Sequence, residues 1–384
     1  MMNYQNISKM AVFAVAVFLL AACSVSFPAS MFSPGPTATP VFTPTSLPSP
    51  TETIPPVTPT STPVSAPPIS SSNFQNLASL QHWDLASDIV KIIGVALSPL
   101  ADKVALIAVR YPGQYSLELH QSQTGSLIWQ QTLDAKTDYP AVAFSADGSL
   151  VAVGTGSSNI TIWNVSDGSF SQILKGAAYA VRVLAFSPDG NLIAAAGSDS
   201  MVHVWRVADG VAQASYPSRN NVGNLVFSPD SRYLATSSDV FAVYDLTSGN
   251  TSPVIYYEAI APHPTTEMAF SPDGRFLIVE GELNDFNHGV WIPRIVVWNL
   301  SSNRDSVRKV PIPDPIQNMV VLSDGQTVLG YDASKGQLDA IDTPDKSIIG
   351  TIDLGDLLFM DYSADLSRFV TVTRTSVAVW GVAP

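Results

Sequence analysis

Residues 185–206 read AFSPDGNLIAAAGSDSMVHVWR, and this stretch contains the pattern that decides the fold. Its turn phrase, residues 187–190 (Ser-Pro-Asp-Gly), joins a proline that fixes φ at about −65°, an aspartate suited to the next turn position and a glycine that can become left-handed. Apolar residues with strand periodicity follow in 192–196 and again, alternating with polar ones, in 201–205. The stretch therefore predicts short antiparallel strands joined by tight turns.

The same phrase recurs along the chain. Its seven copies begin at Leu97, Phe144, Phe186, Phe227, Phe270, Leu322 and Tyr362, with spacings of 47, 42, 41, 43, 52 and 40 residues. A second marker, the end of an alternating strand, follows in each copy at His120, Trp163, Trp205, Tyr244, Trp298, Ile341 and Trp380. Four short strands fit in each repeat, and one such sheet cannot bury both of its faces alone. The sequence thus predicts an all-β, seven-bladed β-propeller.

The copies resemble WD-repeat (WD40-like) propeller proteins over residues 74–384, most clearly in the stretch quoted above. The resemblance implies that Asp199, six residues before Trp205, belongs to a hydrogen-bonded tetrad with a histidine of the preceding loop. Ala177 stands where that histidine is expected, so the repeat is degenerate. The structural repeat residues implied in this way are Asp199, Trp163, Trp205, Trp298 and Trp380. The first and sixth repeats look more like those of quinoprotein-type propellers.

Ring closure is also predicted from the repeats. The seventh copy stops soon after Trp380 and lacks a fourth strand, whereas residues 77–84 precede the first copy without a blade of their own. Trp83 precedes Leu97 much as Trp129 precedes Phe144. An N-terminal strand around Trp83 is therefore expected to complete the last blade and to remove an exposed sheet edge.

The N-terminus has the features of an export signal. Residues 1–22 combine Lys9 with an apolar run that is too short to span a bilayer. The run ends in Leu20-Ala-Ala-Cys23, which resembles the lipobox of bacterial lipoproteins and implies a lipid on Cys23. We expect an exported protein, lipid-anchored to the extracytoplasmic face of a bacterial membrane; a cleaved signal with a chance cysteine is the alternative.

Between this signal and the repeats lies a segment of different composition. Residues 23–73, rich in Pro, Thr and Ser, cannot form a packed core and are predicted to be a disordered linker. Residues 74–384 are predicted to be the propeller. Cys23 is the only cysteine, so no disulfide can form within the chain.

Composition and motifs exclude several functions. The net charge of −13, without a basic run to offset it, makes nucleic acid an unfavourable partner. The sequence contains no nucleophile elbow and no phosphate-binding glycine loop. Its five histidines are widely spaced, so no metal site, cofactor or catalytic residue is predicted. The acids of the turn phrases are explained by turn formation.

The fifth repeat contains the most unusual segment, residues 280–294, inserted between its second and third strands. Long irregular loops on a rigid scaffold often carry function. Tyr, Trp and Arg dominate interface energetics. A candidate binding rim is therefore predicted at Tyr111, Tyr115, Tyr139, Tyr179, Tyr216, Arg219, His263, Phe286, His288 and Trp291. The alternative is that Trp291 packs on its own blade.

The favoured interpretation is a monomeric, non-catalytic lipoprotein that offers the propeller to a protein or glycan at the cell envelope. Two alternatives remain. One is a propeller-type hydrolase or lactonase with a cation in the central channel, which requires converging carboxylates; Asp199, Glu280, Glu282 and Asp285 lie on a suitable face. The other is an envelope assembly factor, suggested by the quinoprotein-like repeats and the lipid anchor.

Overall fold

A computed structural model describes residues 67–383, apart from 134–139, 155, 157, 177–179, 219–220, 239, 258–266, 286–289, 301–305 and 313. For 257, 281–285, 290–293 and 306–309 it describes the backbone alone. The predicted signal, Cys23 and most of the predicted linker lie outside the described residues. Within them, no helix is long and apolar enough to cross a membrane.

The described chain is built of strands. After β1 (Leu77–Asp84), the first three blades contain β2 (Ile89–Leu97), β3 (Lys103–Arg110), β4 (Gln114–Gln121), β5 (Leu127–Leu133), β6 (Ala141–Phe144), β7 (Leu150–Gly154), β8 (Asn159–Asn164), β9 (Phe170–Lys175), β10 (Val183–Phe186), β11 (Leu192–Ala196), β12 (Met201–Arg206) and β13 (Ala212–Pro217). The others contain β14 (Asn224–Phe227), β15 (Tyr233–Ser237), β16 (Phe241–Asp245), β17 (Ile255–Tyr257), β18 (Met268–Phe270), β19 (Phe276–Asp285), β20 (Val290–Asn299), β21 (Ser306–Pro311), β22 (Gln317–Val321), β23 (Thr327–Asp332), β24 (Gln337–Asp342), β25 (Ser347–Asp353), β26 (Phe359–Tyr362), β27 (Arg368–Val372) and β28 (Ser376–Val382).

These strands form seven antiparallel sheets of four strands each, which confirms the predicted seven-bladed propeller. Each blade begins with its innermost strand. We define the turn face as the one that carries the turns between first and second strands, such as residues 98–101. The loop face carries the turns between second and third strands, such as Tyr111–Gly113, and the connections between blades.

The hydrophobic core lies between the blades. Seven clusters of buried apolar residues occur in the described chain, one at each seam between neighbouring sheets. Successive residues of one strand alternate between two seams: Ile193 and Ala195 pack against blade 2, whereas Ala194 and Ala196 pack against blade 4. This alternation follows from the two-residue period of a strand and explains why inner strands are apolar on both sides.

The recurring phrase forms the turn that the sequence predicts. In the third copy Gly190 has φ +73° and its N–H donates to the Ser187 carbonyl oxygen at 2.9 Å. The Ser187 hydroxyl donates to Asp189 Oδ1 at 2.5 Å, and the Leu192 N–H donates to Ser187 Oγ at 2.9 Å. The serine and aspartate side chains thus satisfy backbone and side-chain groups within one turn.

Ring closure also occurs as predicted. Strand β1 pairs with β28, so that Ser79 lies opposite Trp380 and the last sheet has the order β1-β28-β27-β26. Trp83 of this strand packs over Gly125 of blade 1, where an added Cβ would come within 2.3 Å of the indole. The first and last parts of the domain therefore share one sheet.

The last residues of the predicted linker, 67–73, pack against the propeller together with residues 74–76, the first of the predicted propeller. We name residues 67–76 the strap; it ends in a 3₁₀ turn, Phe74–Asn76. Ile69 and Phe74 are fully buried in the cluster between blades 6 and 7, and the Ile69 N–H donates to the Leu366 carbonyl oxygen at 2.9 Å. Because Leu366 lies in a turn of the last repeat, the chain enters the propeller at the turn face.

Outer strands also join neighbouring blades. The Trp129 indole N–H donates to the Val165 carbonyl oxygen at 2.9 Å, and the ring covers Gly168, whose φ is +70°.

Gly168→Ala is expected to lower the free energy of unfolding by about 2 kcal/mol. Alanine is strained in the left-handed backbone conformation, and its Cβ would in addition clash with the Trp129 ring. Urea unfolding measures this. Gly190→Ala is the matched control, since its φ is similar but no atom lies near its Cβ; equal losses would contradict the contribution of the indole contact.

Candidate functional site

The predicted rim residues differ in their surroundings. Tyr111, at the tip of the β3–β4 hairpin, is 79% exposed. Tyr115 is half-buried against the cluster between blades 1 and 2. Tyr216 is buried, with its ring centroid 4.8 Å from that of Tyr244, so it packs in the core rather than lining an accessible surface. Outside the described residues or side chains lie Tyr139, Tyr179, Arg219, His263, Phe286, His288 and Trp291.

The insertion of blade 5 is more regular than the sequence predicts. Strands β19 and β20 continue through it as one long hairpin, in which Asn284 pairs with Trp291 and Asp285 with Val290. The expectation of an irregular loop is therefore wrong for the backbone on either side of residues 286–289. The physical reason is that residues 281–285 and 290–293 extend the existing ladder, which satisfies their backbone groups.

Among the described residues, the hairpins of blades 1 and 5 extend furthest at the loop face. In every blade the second strand begins five or six residues after the start of the phrase, so its end at the turn face is fixed. A longer second strand therefore extends further at the loop face. The second strand has eight residues in blade 1 and ten in blade 5, against five or six elsewhere. At about 3.3 Å per residue, these hairpins rise by about 10 Å and 15 Å. Blades 6 and 7 lie between these two hairpins in the ring, and we name the lower loop face of these two blades the floor.

A buried charge network supports the blade 1 hairpin. Glu118 is fully buried and accepts hydrogen bonds from Arg110 Nε at 2.7 Å and Nη2 at 2.9 Å, from Ser116 and from His120. Arg110 also pairs with Asp88 at 2.6 Å. Burial by itself would raise the pKa of Glu118, but these hydrogen bonds and the guanidinium charge lower it to about 2. Arg110 is thereby fixed beneath the tip that carries Tyr111.

The floor contains a cavity of about 380 Å³ at the seam between blades 6 and 7. Its lining includes Tyr331 of blade 6, the connection 356–358 and the turn 373–375 of blade 7. The Tyr331 hydroxyl donates to the Gly355 carbonyl oxygen at 2.6 Å and accepts the Leu357 N–H at 3.1 Å. These bonds hold the connection in place, so the cavity is preformed.

Two carboxylates cross seams near the propeller axis. Asp361 of blade 7 accepts the Leu97 N–H of blade 1 at 2.7 Å. Glu267 precedes β18 of blade 5; it accepts the Asn224 side-chain amide of blade 4 at 2.9 Å and backbone N–H groups of blade 6. An innermost strand has a neighbour on one side only, so its free N–H groups need such acceptors.

The environment of these acids changes their ionisation. Burial raises the pKa of Asp361 to about 6 and that of Glu267 to about 7, and the hydrogen bonds offset this only in part. Burial, together with the charges of both acids, raises the pKa of the Tyr362 hydroxyl. Both carboxylates act as acceptors for neighbouring blades. In the described part of the chain, no three His, Cys, Asp or Glu residues are placed to hold a metal ion.

Of the carboxylates suggested for a channel cation, the structure describes the side chains of Asp199 in blade 3 and Glu280 in blade 5. Asp199 Oδ2 lies 2.8 Å from His203 Nε2, and His203 Nδ1 lies 2.8 Å from Ser215 Oγ. Glu280 is buried. The side chains of Glu282 and Asp285 lie outside those described.

The repeat tryptophans bind different partners instead of forming a common tetrad. Trp205 donates to the Lys175 carbonyl oxygen at 3.2 Å, while Asp199 contacts His203 of its own blade. The other three act as follows: Trp163 donates to Thr161, Trp380 donates to Thr371 and stacks on Phe369, and Trp298 packs against Phe241. The Trp205 bond joins blade 3 to blade 2, whereas the bonds of Trp163 and Trp380 lie within their own blades, so packing at the seams is the main contact between blades.

Comparison with known proteins agrees with this architecture. The family described as "WD domain, G-beta repeat" (WD40) matches residues 130–164 and 168–206. Each match runs from the outer strand of one blade to the third strand of the next, the same offset that closes the ring. No curated protein matches the sequence significantly.

Many solved structures share the fold, with 1657 matching chains. One is Kuenenia stuttgartiensis hydrazine synthase, with a TM-score of 0.62 at 12% identity, covering 77% of this chain and 96% of that one. Such a likeness concerns the fold alone, and neither comparison confirms the quinoprotein-like character of repeats one and six. The chain is a seven-bladed β-propeller that contains WD40 repeats.

Proposed function

We propose that the protein is a non-catalytic interaction platform of the bacterial cell envelope, anchored by a lipid on Cys23, that binds a partner protein through its loop face. The location is supported by the lipobox-like sequence that ends at Cys23. The platform role is supported by the fold and its WD40 repeats, because rigid scaffolds of this kind present loops to partners.

The difference in height between the hairpins of the loop face is the main observation behind this proposal. The hairpins of blades 1 and 5 enclose a lower floor, and Tyr111 holds a large aromatic side chain in solvent at one edge. Exposed tyrosines are common anchors of interfaces. The chain enters the propeller at the turn face through the strap, on the side opposite the loop face.

Site-specific photocrosslinking in intact cells tests the proposal. A photoreactive amino acid at position 111 is expected to capture the same protein reproducibly, because this position overlooks the floor. Leu100 is the matched control: it also lies in blade 1 and is 80% exposed, but on the turn face. Capture of one partner from 111 and not from 100 supports the platform; no capture, or the same adducts from both positions, would contradict it.

A further inference from the structure

The cavity between blades 6 and 7 has an unusual position in the ring. Among the described residues, innermost strands of neighbouring blades contact each other closely at the other six seams, as β2 does with β6 and β26. Strands β22 and β26 do not. The strap fills this wider seam at the turn face with Ile69 and Phe74, and the cavity remains on the loop face.

The walls of this cavity are fixed by hydrogen bonds on both sides. Besides the bonds of Tyr331, the Leu358 N–H donates to the Val372 carbonyl oxygen at 2.8 Å. The Thr373 side chain bonds to the Ser376 hydroxyl at 2.8 Å, which orders the turn 373–375. A preformed site avoids the entropy cost of ordering on binding. About 380 Å³ lies within the range of small ligand pockets and has room for one or two side chains.

The chemistry of the lining is mixed. Ala333, Leu357 and Leu358 supply apolar surface, and Leu358 is 42% exposed. Arg374 and Asp356 are exposed and line the same cavity, yet neither forms an ion pair with any residue that the structure describes. On the same face, Arg110 is bound by Glu118 and Asp88.

Lys335, which also lies on this face, is bound by Asp314 and Asp332. Arg374 therefore differs from Arg110 and Lys335 in having its guanidinium available to an incoming acceptor. A planar guanidinium binds carboxylates in a bidentate manner, and the binding is strongest where an adjacent apolar surface excludes water.

We infer that this cavity binds an extended peptide segment of the partner in which an acidic side chain, paired with Arg374, lies beside an apolar side chain packed on Leu358. The inference rests on the proposed function and adds the chemistry of the partner. The net charge of −13 disfavours a polyacidic segment, so one carboxylate next to an apolar residue is the better complement. The raised hairpins on either side leave the floor open to a chain that crosses it.

Selection from random heptapeptides displayed on phage, with the full-length protein in detergent as bait, tests this inference. Peptides that pair Asp or Glu with a neighbouring Leu, Ile, Val or aromatic residue are expected to be enriched. An enriched peptide, synthesised with a fluorescent label, is expected to lose at least tenfold in affinity against Arg374→Ala, and as much when its acid is replaced by the amide. Arg374→Lys should restore part of the affinity, because it keeps the charge but not the fork.

Arg206→Ala is the control, since Arg206 is exposed in blade 3 and pairs with Asp209. Unchanged melting curves for all variants exclude a folding effect. Enriched peptides without an acid, or affinity that Arg374→Ala leaves unchanged, would overturn the inference. The absence of enriched peptides would also overturn the inference. If position 111 still captured a partner in cells in that case, the platform proposal would hold without this site. Arg374-dependent peptides without capture in cells would instead retain the site and contradict the platform.

Discussion

Phe74→Ala is expected to lower the free energy of unfolding by about 3–5 kcal/mol, the usual cost of removing a fully buried phenylalanine. The ring is 1% exposed and packs in the cluster that joins blades 6 and 7. It also lies against Gly350 of β25, where an added Cβ would come within 2.9 Å of the ring. Loss of the ring leaves a cavity at a seam that innermost strands do not close, so the surroundings have little means of filling it.

Denaturant unfolding followed by tryptophan fluorescence measures this loss. Ser72→Ala is the control, since Ser72 lies in the same strap but is exposed. Its effect is expected to remain within about 0.5 kcal/mol. A loss of less than about 1 kcal/mol for Phe74→Ala would show that the strap does not unfold together with the propeller, and the seam would then need another source of stability.

The closing strand β1 could be predicted from the sequence repeats, whereas the packing of the strap could not. Strand β1 could be predicted because Trp83 stands before the first copy as Trp129 stands before the second, and both cover a turn glycine. Ile69 and Phe74 have no counterpart in any repeat and follow a Pro- and Thr-rich stretch. Their burial depends on the width of one seam, which no local pattern encodes.

The inner carboxylates could have been found from the repeats. Asp361 directly precedes the start of the seventh phrase, where the other six copies have alanine or valine. Glu267 and Asn224 occupy equivalent positions three residues before the phrase in adjacent copies, and they form a hydrogen bond. A polar residue that replaces apolar ones at an inner position indicates a contact across a seam. The availability of Arg374, in contrast, depends on which acids the fold brings near it, and the sequence does not contain that information.

Stability is expected to fall as the pH rises from about 5 to 8, because of Glu267 and Asp361. Their ordinary pKa values are 4.5 and 3.8, and burial raises them to about 7 and about 6 in the folded protein. Between these values the folded state holds more protons than the unfolded state, so deprotonation favours unfolding. The stabilisation is complete below about pH 4 and is lost as the pH passes through about 6 and 7. Each shift corresponds to roughly 3 kcal/mol at most.

Free energies of unfolding in urea at several values between pH 5 and 8 test this expectation. Glu267→Gln keeps an acceptor for the blade 6 N–H groups but cannot ionise, so the variant should lose the part of the slope that lies near pH 7. Asp361→Asn should lose the part near pH 6. Asp167→Asn is the control, because Asp167 is an exposed turn residue, and the same slope as in the parent protein is expected. Carboxylates whose pKa is lowered, such as Glu118, titrate below this window and favour the folded state as the pH rises. A stability that is flat or rises between pH 5 and 8, or a slope that both amide variants retain, would show that these two acids stay ionised within the folded ring.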